Sequence, residues 1–328
     1  MDKLPFENIK REIHVKKEAE TSLNYGKKPE ENTIEELINY GVINLNKPSG
    51  PTSHQVSEYI QRILNIQKSG HSGTLDPKVT GCLPIALGRA TRIVQTLLKS
   101  GKEYVCLMYL HKKILPSNIH KITKEFTGKI RQIPPIKSAV KRQERTREIY
   151  YINILEIQDQ HVLFKVGCEA GTYIRKLCHD MAIKMGTKGH MVQLVRTKAG
   201  PFNDSNMFSL HDLKDAYEFY KEGDEKEIKK IILPIEKSLN HLPKIWVLDS
   251  TIDSLCHGSN LNIPGISKLN DFKKDEIIVI LSLKDELVCL GTSVLSSEDI
   301  LKQDKGKAIS TKKVFMPTKT YLKFTSIK

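Results

Sequence analysis

The chain has 328 residues, enough for one large core and a smaller second domain, and its 52 Lys and Arg against 38 Asp and Glu give a formal charge of +14 that favours a polyanionic partner. Cys82, Cys106, Cys168, Cys178, Cys256 and Cys289 are scattered with no C-x-x-C pair, which argues against a zinc ribbon or a disulfide framework and for a reducing compartment. No apolar run is long enough to cross a bilayer as a helix, and the opening Met1-Asp2-Lys3-Leu4-Pro5-Phe6 continues charged, without the apolar centre of a signal peptide, so a soluble, intracellular protein is expected.

Residues 1–40 mix charges with few apolar anchors, and Lys27-Lys28-Pro29-Glu30-Glu31 reads as a solvated, extended arm, free or strapped across another domain. Gly41 to Lys47 alternates like a strand and stops at Pro48. Thr52 and Ser53 are cap candidates for a helix whose apolar face is Val56, Tyr59, Ile60, Ile63 and Leu64. From Gly70 to Arg92, four glycines and two prolines leave little helix or strand signal, so the stretch reads as a shaped loop. Its only carboxylate is Asp76, and Pro77 pushes that residue into an extended conformation. A lone carboxylate in such a loop is commonly a turn cap, and His71 is commonly a backbone-bonding loop histidine.

Thr91 is a cap candidate for a helix carrying Ile93, Val94, Leu97 and Leu98, and Lys102 to Leu110 reads as a strand that includes Tyr104. Residues 111–150 are loop-rich, with a short helix expected around Ile122 to Phe126. They carry Arg131, Lys137, Lys141, Arg142, Arg145 and Arg147 on the proline-stiffened base Pro134-Pro135, a basic patch that reads either as a solvated charge run or as a flap closing on phosphates. Tyr150 to Ile157 and Val162 to Glu169 read as a hairpin. Thr172 is a cap candidate for the next helix, whose stripe is Ile174, Leu177, Cys178, Met181 and Met185, with Gly186 as its stop. Arg175 falls in the first turn, the wrong end of the helix dipole for a cation unless an anion lies nearby. Residues 203–243, with one mixed-charge helix expected over Lys214 to Ile231 and an end at Pro234 and Pro243, read as a connection between domains. From about Lys244, short strands at Ile245–Leu248, Glu276–Leu283, Leu287–Val294 and Lys313–Met316 suggest a small barrel.

The run GHSGTLDPKVTGCLPIALGRATR resembles the catalytic motif of the pseudouridine synthase B family, whose aspartate attacks a uridine nucleotide. Further resemblances are K-x-Y at Lys102 to Tyr104, PP-x-x-SAVK at Pro134 to Lys141, GTYIR at Gly171 to Arg175, and the segment around Leu194 and Arg196. They imply Asp76, Tyr104 and Arg175 as catalytic, with Tyr104 packing on the flipped uracil and Arg175 holding the aspartate. They further imply His71, Tyr173, Leu194, Lys47, Lys141 and Arg142 as substrate-binding. Val195 and Ala199 stand where the family more often has Arg and Ser, which weakens the role implied for Arg196 in ordering the site. His257 to Ile266 resembles the entry motif of the RNA-binding PUA domain, implying His257, Gly258, Asn260, Pro264 and Gly265 as RNA contacts.

The resemblance runs from about Leu4 to Leu322 and is closest to the archaeal and eukaryotic, dyskerin-like branch, on ELINYGVINLNKPSGPTSHQV, the N-terminal arm and the PUA-like end. It implies an α+β fold with a mixed, mostly antiparallel sheet and flanking helices in the catalytic domain, and a small C-terminal barrel. The expected domains are an arm over 1–40 packing on the C-terminal domain, a catalytic domain over 41–243 and a PUA domain over 244–328. The implied activity is RNA pseudouridine synthesis, needing no cofactor and no metal, within a box H/ACA guide-RNA particle acting on rRNA and tRNA. Its partners there would be a small zinc-ribbon protein, a Gar-type barrel protein and a kink-turn-binding protein. The setting would be the cytoplasm of an archaeon, or the nucleolus in a eukaryote. The alternatives are a stand-alone enzyme for the TΨC arm of tRNA and a non-catalytic RNA-binding scaffold.

Overall fold

The computed structural model describes residues 3–134 and 141–322. The chain divides into two compact units: residues up to Asn8 with Ile34–Leu233, and Ile9–Thr33 with the chain from Pro234 onward. In chain order the first elements are β1 (Ile13–Val15), α1 (Ile34–Tyr40), β2 (Gly41–Lys47), α2 (Ser53–Leu64), β3 (Ser69–His71), β4 (Thr80–Leu87), α3 (Val94–Lys99) and β5 (Lys102–Leu110). There follow α4 (Pro116–Glu125), β6 (Gly128–Gln132), β7 (Arg145–Gln158), β8 (His161–Cys168), α5 (Ile174–Lys184), β9 (Gly189–Ala199), β10 (Phe202–Asn203), α6 (Leu210–Lys221), α7 (Lys226–Ile231) and β11 (Ile232–Pro234). The last are β12 (Lys244–Val247), α8 (Asp249–Cys256), β13 (Leu261–Asn262), β14 (Ile266–Asn270), β15 (Ile277–Leu281), β16 (Leu287–Ser293), α9 (Ser297–Lys302) and β17 (Lys307–Val314).

In the first unit, the described strands form one sheet in the order β11-β2-β4-β9-β5-β8-β7-β6, with β3 beside β4 and β10 beside β9. The pairs β2–β4, β3–β4, β5–β8, β5–β9, β6–β7, β7–β8 and β9–β10 are antiparallel, whereas β4 and β9 meet in parallel at Thr80↔Val195 and Gly81↔Arg196. The core packs Val56 and Ile60 of α2, Ile174, Leu177 and Met181 of α5, and Cys106 and Met108 of β5. Helix α2 is fixed at its start by a capping box, in which the Thr52 hydroxyl accepts from Gln55 N–H and the Gln55 side chain accepts from Thr52 N–H.

Within Gly70 to Arg92 the loop is shorter than expected, because Thr80–Leu87 is a central strand buried from Gly81 to Leu87. A strand covered on both faces shows no alternation, and Gly81 and Pro84 dilute its apolar run. Pro84 is accommodated because its carbonyl accepts from Ser72 N–H at 3.0 Å, on the side where β3 ends and no ladder donor is needed. Gly81 has φ +100°, and a Cβ there would lie 2.3 Å from the Arg196 carbonyl oxygen, so only glycine lets β4 and β9 meet.

Other elements also differ from expectation. Helix α4 begins at Pro116, six residues before the expected start, since proline is suited to a first helical turn. The single helix expected over Lys214 to Ile231 is broken in two at Gly223, where φ is +98°. Thr91 and Thr172 cap nothing; each hydroxyl instead donates to a carbonyl three residues back, Gly88 and Glu169. Strand β17 starts at Lys307, six residues before the expected Lys313.

The second unit has a sheet ordered β1-β14-β12-β15-β16-β17-β13 around a core that includes Ile245, Leu255, Leu269, Ile280 and Val288. Its edge strand β1 pairs with β14 at Ile13↔Asn270. Farther along the arm, Lys284 Nζ donates to the carbonyls of Tyr25 and Gly26 at 2.6 and 3.1 Å. Residues 1–40 are not one arm: the chain up to Asn8 and helix α1 belong to the first unit, where Leu4, Ile34 and Leu37 are buried.

Candidate active site

The loop of residues 72–79 leaves β3 and returns into β4, anchored from below. Leu75 N–H donates to the Ser53 hydroxyl at 2.9 Å, and Leu75 and Val79 are buried. Lys47 was expected to bind substrate; it is instead fully buried, its ammonium donating to the carbonyls of Pro48, Pro77 and Val79 at 2.8, 3.0 and 3.0 Å. All three of its donors are thus used inside the protein, and Lys47 holds the loop from within. Arg196 braces the other end, with Nε donating to Cys82 O at 2.6 Å and an Nη to Gly73 O at 3.3 Å.

With both flanks pinned, Asp76 projects outward and meets Arg175 from the first turn of α5, Nη to Oδ2 at 2.6 Å. The two side chains are 60% and 56% exposed, so the pair is open to a ligand. The anion inferred from the misplaced charge of Arg175 is therefore the Asp76 carboxylate, 99 residues away in the chain.

Asp76 and Arg175 lie on the wall of a cavity of about 960 Å³, together with Tyr104, Tyr173, Leu194 and Arg196. Val79, Leu98, Ile174, Met191 and Leu194 give it an apolar side on which a flat base can rest. Burial pushes the Tyr104 phenol above its ordinary value, only partly offset by the Arg196 guanidinium, so the ring is neutral near pH 7. Lys102, also on the wall, donates from Nζ to the carbonyls of Leu97 and Ser100 at 2.8 and 2.7 Å. Burial first, then repulsion from Arg196, lowers its pKa to about 7. Arg147 and Glu169 stand at the same wall, Nη to Oε1 at 3.6 Å.

Other expected residues lie apart from this group. His71 ends β3 outside the cavity lining, edge-on to His54 with ring centroids 5.1 Å apart, and its pKa is lowered by burial, then by His54 and Arg196. Lys141 and Arg142 are exposed and do not line the cavity, while Lys137 and the rest of 135–140 lie outside the described residues. In the second unit, His257, Gly258, Asn260 and Pro264 are exposed between α8 and β14. Asn260 Oδ1 accepts from Thr311 N–H, and Gly265 packs where a Cβ would meet the Thr251 side chain at 2.6 Å. The buried cations Lys102 and Arg196 were missed as a pair; the signal available was the spacing of Lys102 two residues before Tyr104, which puts both on one face of β5. Among the described residues no three His, Cys, Asp or Glu side chains converge to hold a metal ion.

Comparison with known proteins matches residues 61–174 to the TruB family pseudouridylate synthase N-terminal domain and residues 175–240 to the tRNA pseudouridylate synthase B C-terminal domain. Residues 2–57 match the DKCLD domain and residues 243–315 the PUA domain. A Pyrococcus abyssi protein named "Probable tRNA pseudouridine synthase B" is 53% identical over 320 residues, covering 96% of each chain.

The chain belongs to the TruB family of pseudouridylate synthases.

A Methanosarcina barkeri relative with the same name is 50% identical to this synthase over 323 residues, covering 98% of this chain and 95% of the relative. Among solved structures, a chain of "Crystal Structure of a Cbf5-Nop10-Gar1 Complex" superposes on the synthase with a TM-score of 0.94 at 50% identity, covering 98% and 99% of the two chains. A chain of "Structure of H/ACA RNP bound to a substrate RNA containing 2'-deoxyuridine" does so at 0.92 and 48%, with the same coverage. The synthase is an RNA pseudouridine synthase with a mixed α+β fold and a PUA domain. No helix among its described residues is long and apolar enough to cross a membrane.

Proposed function

We propose that this synthase is the catalytic subunit of a box H/ACA guide-RNA particle, isomerising selected uridines of rRNA and tRNA with Asp76 as the reacting carboxylate. The observation that carries the chemical part is the 2.6 Å contact between Arg175 and Asp76 on the wall of a cavity that also holds Tyr104. In the isomerisation the bond from C1′ to N1 breaks, a bond from C1′ to C5 forms, and the proton leaves C5 while N1 gains one. Addition to the ribose carbon and removal of a sugar proton both use a positioned carboxylate, and the Arg175 guanidinium fixes Asp76 in place. The target base leaves its stack to reach the cavity, where the Tyr104 ring and Leu194 offer it two surfaces. Tyr173 completes the wall, and the exposed Lys141 and Arg142 meet the RNA backbone.

Likeness over 98% of the chain to proteins solved in Cbf5-Nop10-Gar1 and H/ACA RNP structures supports the particle assignment. The partners are a box H/ACA guide RNA, a small zinc-ribbon protein, a Gar-type barrel protein and a kink-turn-binding protein, in the cytoplasm of an archaeal cell. On the PUA domain, His257, Gly258, Asn260, Pro264 and Gly265 form the RNA contact. The name shared by the relatives favours a second reading, a stand-alone enzyme for tRNA.

Mapping pseudouridines made by the purified chain, with and without guide RNA and partner proteins, separates the two. The expected result is slow conversion of one tRNA uridine by the chain alone and new target sites when the guide is added. A guide that changes neither rate nor target overturns the particle reading. Asp76→Asn is expected to abolish product while leaving RNA affinity intact, and residual activity in that variant would remove Asp76 from the mechanism.

A further inference from the structure

Behind the cavity, on the opposite face of the sheet, one row of side chains crosses four strands. Strand register places Tyr151 of β7 opposite Gly167 of β8, Gly167 opposite Glu103 of β5, and Glu103 opposite Lys198 of β9. Glu103 is only 3% exposed, although it lies between two cavity-lining residues, Lys102 and Tyr104. A buried carboxylate is costly unless hydrogen-bonded. Here the Tyr151 hydroxyl donates to Oε2 at 2.5 Å and the Thr197 hydroxyl to Oε1 at 2.8 Å. Lys198 is 3.9 Å from Oε2 and is itself held by Glu7 at 2.9 Å.

Tyr151 spans β8 only because Gly167 has no side chain; a Cβ there would lie 2.3 Å from the ring. The register slips by one residue on each side of Glu103. On β9, Thr197 is the extra residue between the pairs Glu103↔Lys198 and Tyr104↔Arg196. On β7, Tyr150 is the extra residue between Ile149↔Cys168 and Tyr151↔Gly167. Bulges bend a strand and re-aim the side chains beside them. The bulge at Thr197 brings Arg196 opposite Tyr104, both on the cavity wall.

We propose that Glu103 is a positioning residue for pseudouridine formation: by binding the Tyr151 and Thr197 hydroxyls it locks the two flanking bulges, and so sets how Tyr104 and Arg196 enter the cavity from the other face. Glu103 touches no substrate. Its two hydroxyl contacts act through the backbone of β5 and β9, which carries Tyr104 on one side and the brace on Gly73 O at the head of the Asp76 loop on the other. This inference rests on the assignment of Asp76, Tyr104 and Arg175 as the reacting side of the sheet.

The test uses the full chain and a tRNA transcript labelled with tritium at uridine C5, whose release reports the new carbon bond. Glu103→Ala is expected to lower the single-turnover rate about 10²-fold while RNA affinity stays within about threefold, the signature of displaced catalytic groups. Tyr151→Phe is expected to slow the wild type but to add nothing in the Glu103→Ala background. Glu103→Gln should recover most of the rate, because its amide accepts from one hydroxyl and donates to the other. An unchanged rate in Glu103→Ala, assayed below its melting temperature, overturns the proposal, as does a Gln variant no better than Ala. If Glu103→Ala fails to fold, Thr197→Val removes one contact alone, and an undiminished rate there is equally decisive against it. A wild type that releases no tritium from any substrate overturns the underlying site assignment and this inference with it, whereas an active wild type with an active Glu103→Ala overturns this inference alone.

Discussion

Asp76 and Arg175 keep more than half of their side-chain surface in solvent while joined at 2.6 Å. An exposed pair of this kind adds little to stability, so its geometry serves the cavity rather than the fold. Arg175→Lys keeps the charge but loses the planar fork, and Arg175→Met loses both. Removal of a preorganised charge at a reacting group costs about 10² in rate, so Arg175→Met is expected to fall by that order in kcat and Arg175→Lys by less, with melting temperatures close to wild type. Lys102 carries a second, pH-dependent prediction. Its pKa is about 7 in the folded chain against 10.5 for an ordinary lysine. Between those values the unfolded chain binds more protons, so this group makes the protein more stable as pH rises from 7 towards 10. Urea unfolding of Lys102→Met beside wild type, from pH 6 to 9, is expected to give a flatter profile for the variant.

At the scale of elements, β4 and β9 meet at Gly81, where the left-handed φ and the 2.3 Å approach to the Arg196 carbonyl both exclude a side chain. Gly81→Ala is expected to destabilise the chain by roughly 1–3 kcal/mol in urea titrations and to slow catalysis through the Arg196 brace. Alternation made β2 legible in the sequence, although it is buried from Gly41 to Leu45, and β-branched and aromatic residues made β5 legible. Strand β4 was not legible, since burial on both faces leaves only a short apolar run with a glycine and a proline in it. The same limit applies at the site. Asp76, Tyr104 and Arg175 stood out by motif and by a charge at the wrong helix end. Lys47 read as a ligand-binding cation, because nothing in the sequence marks three carbonyls folding over one ammonium.

For the whole molecule, the formal charge of +14 predicts RNA binding that weakens steeply with salt. A plot of log affinity for tRNA against log salt should be linear with a slope of several units, and removing Lys141 and Arg142 should lower that slope by about two at unchanged target choice. In the second unit, burial raises the Glu236 pKa to about 7 against 4.5 for an ordinary glutamate. The folded chain therefore holds this proton more tightly, and the stability it contributes is present below pH 4.5 and lost as pH rises through 7. Glu236→Gln is expected to leave the melting temperature unchanged at pH 5 and to raise it at pH 8.

The pairing of β1 with β14 joins residues 13–15 to residues 268–270, across a sequence separation that contains nearly all of the other unit. On the ribosome, at about 5–20 residues per second, the arm therefore waits more than ten seconds for its partner strand to be made. The backbone groups of Ile13–Val15 that pair with β14 lack that partner through the interval, open to any passing strand edge. Synthesis order thus leaves the first strand of this unit unpaired until β14 is made, and nascent chains halted before residue 266 should show that segment cut by protease.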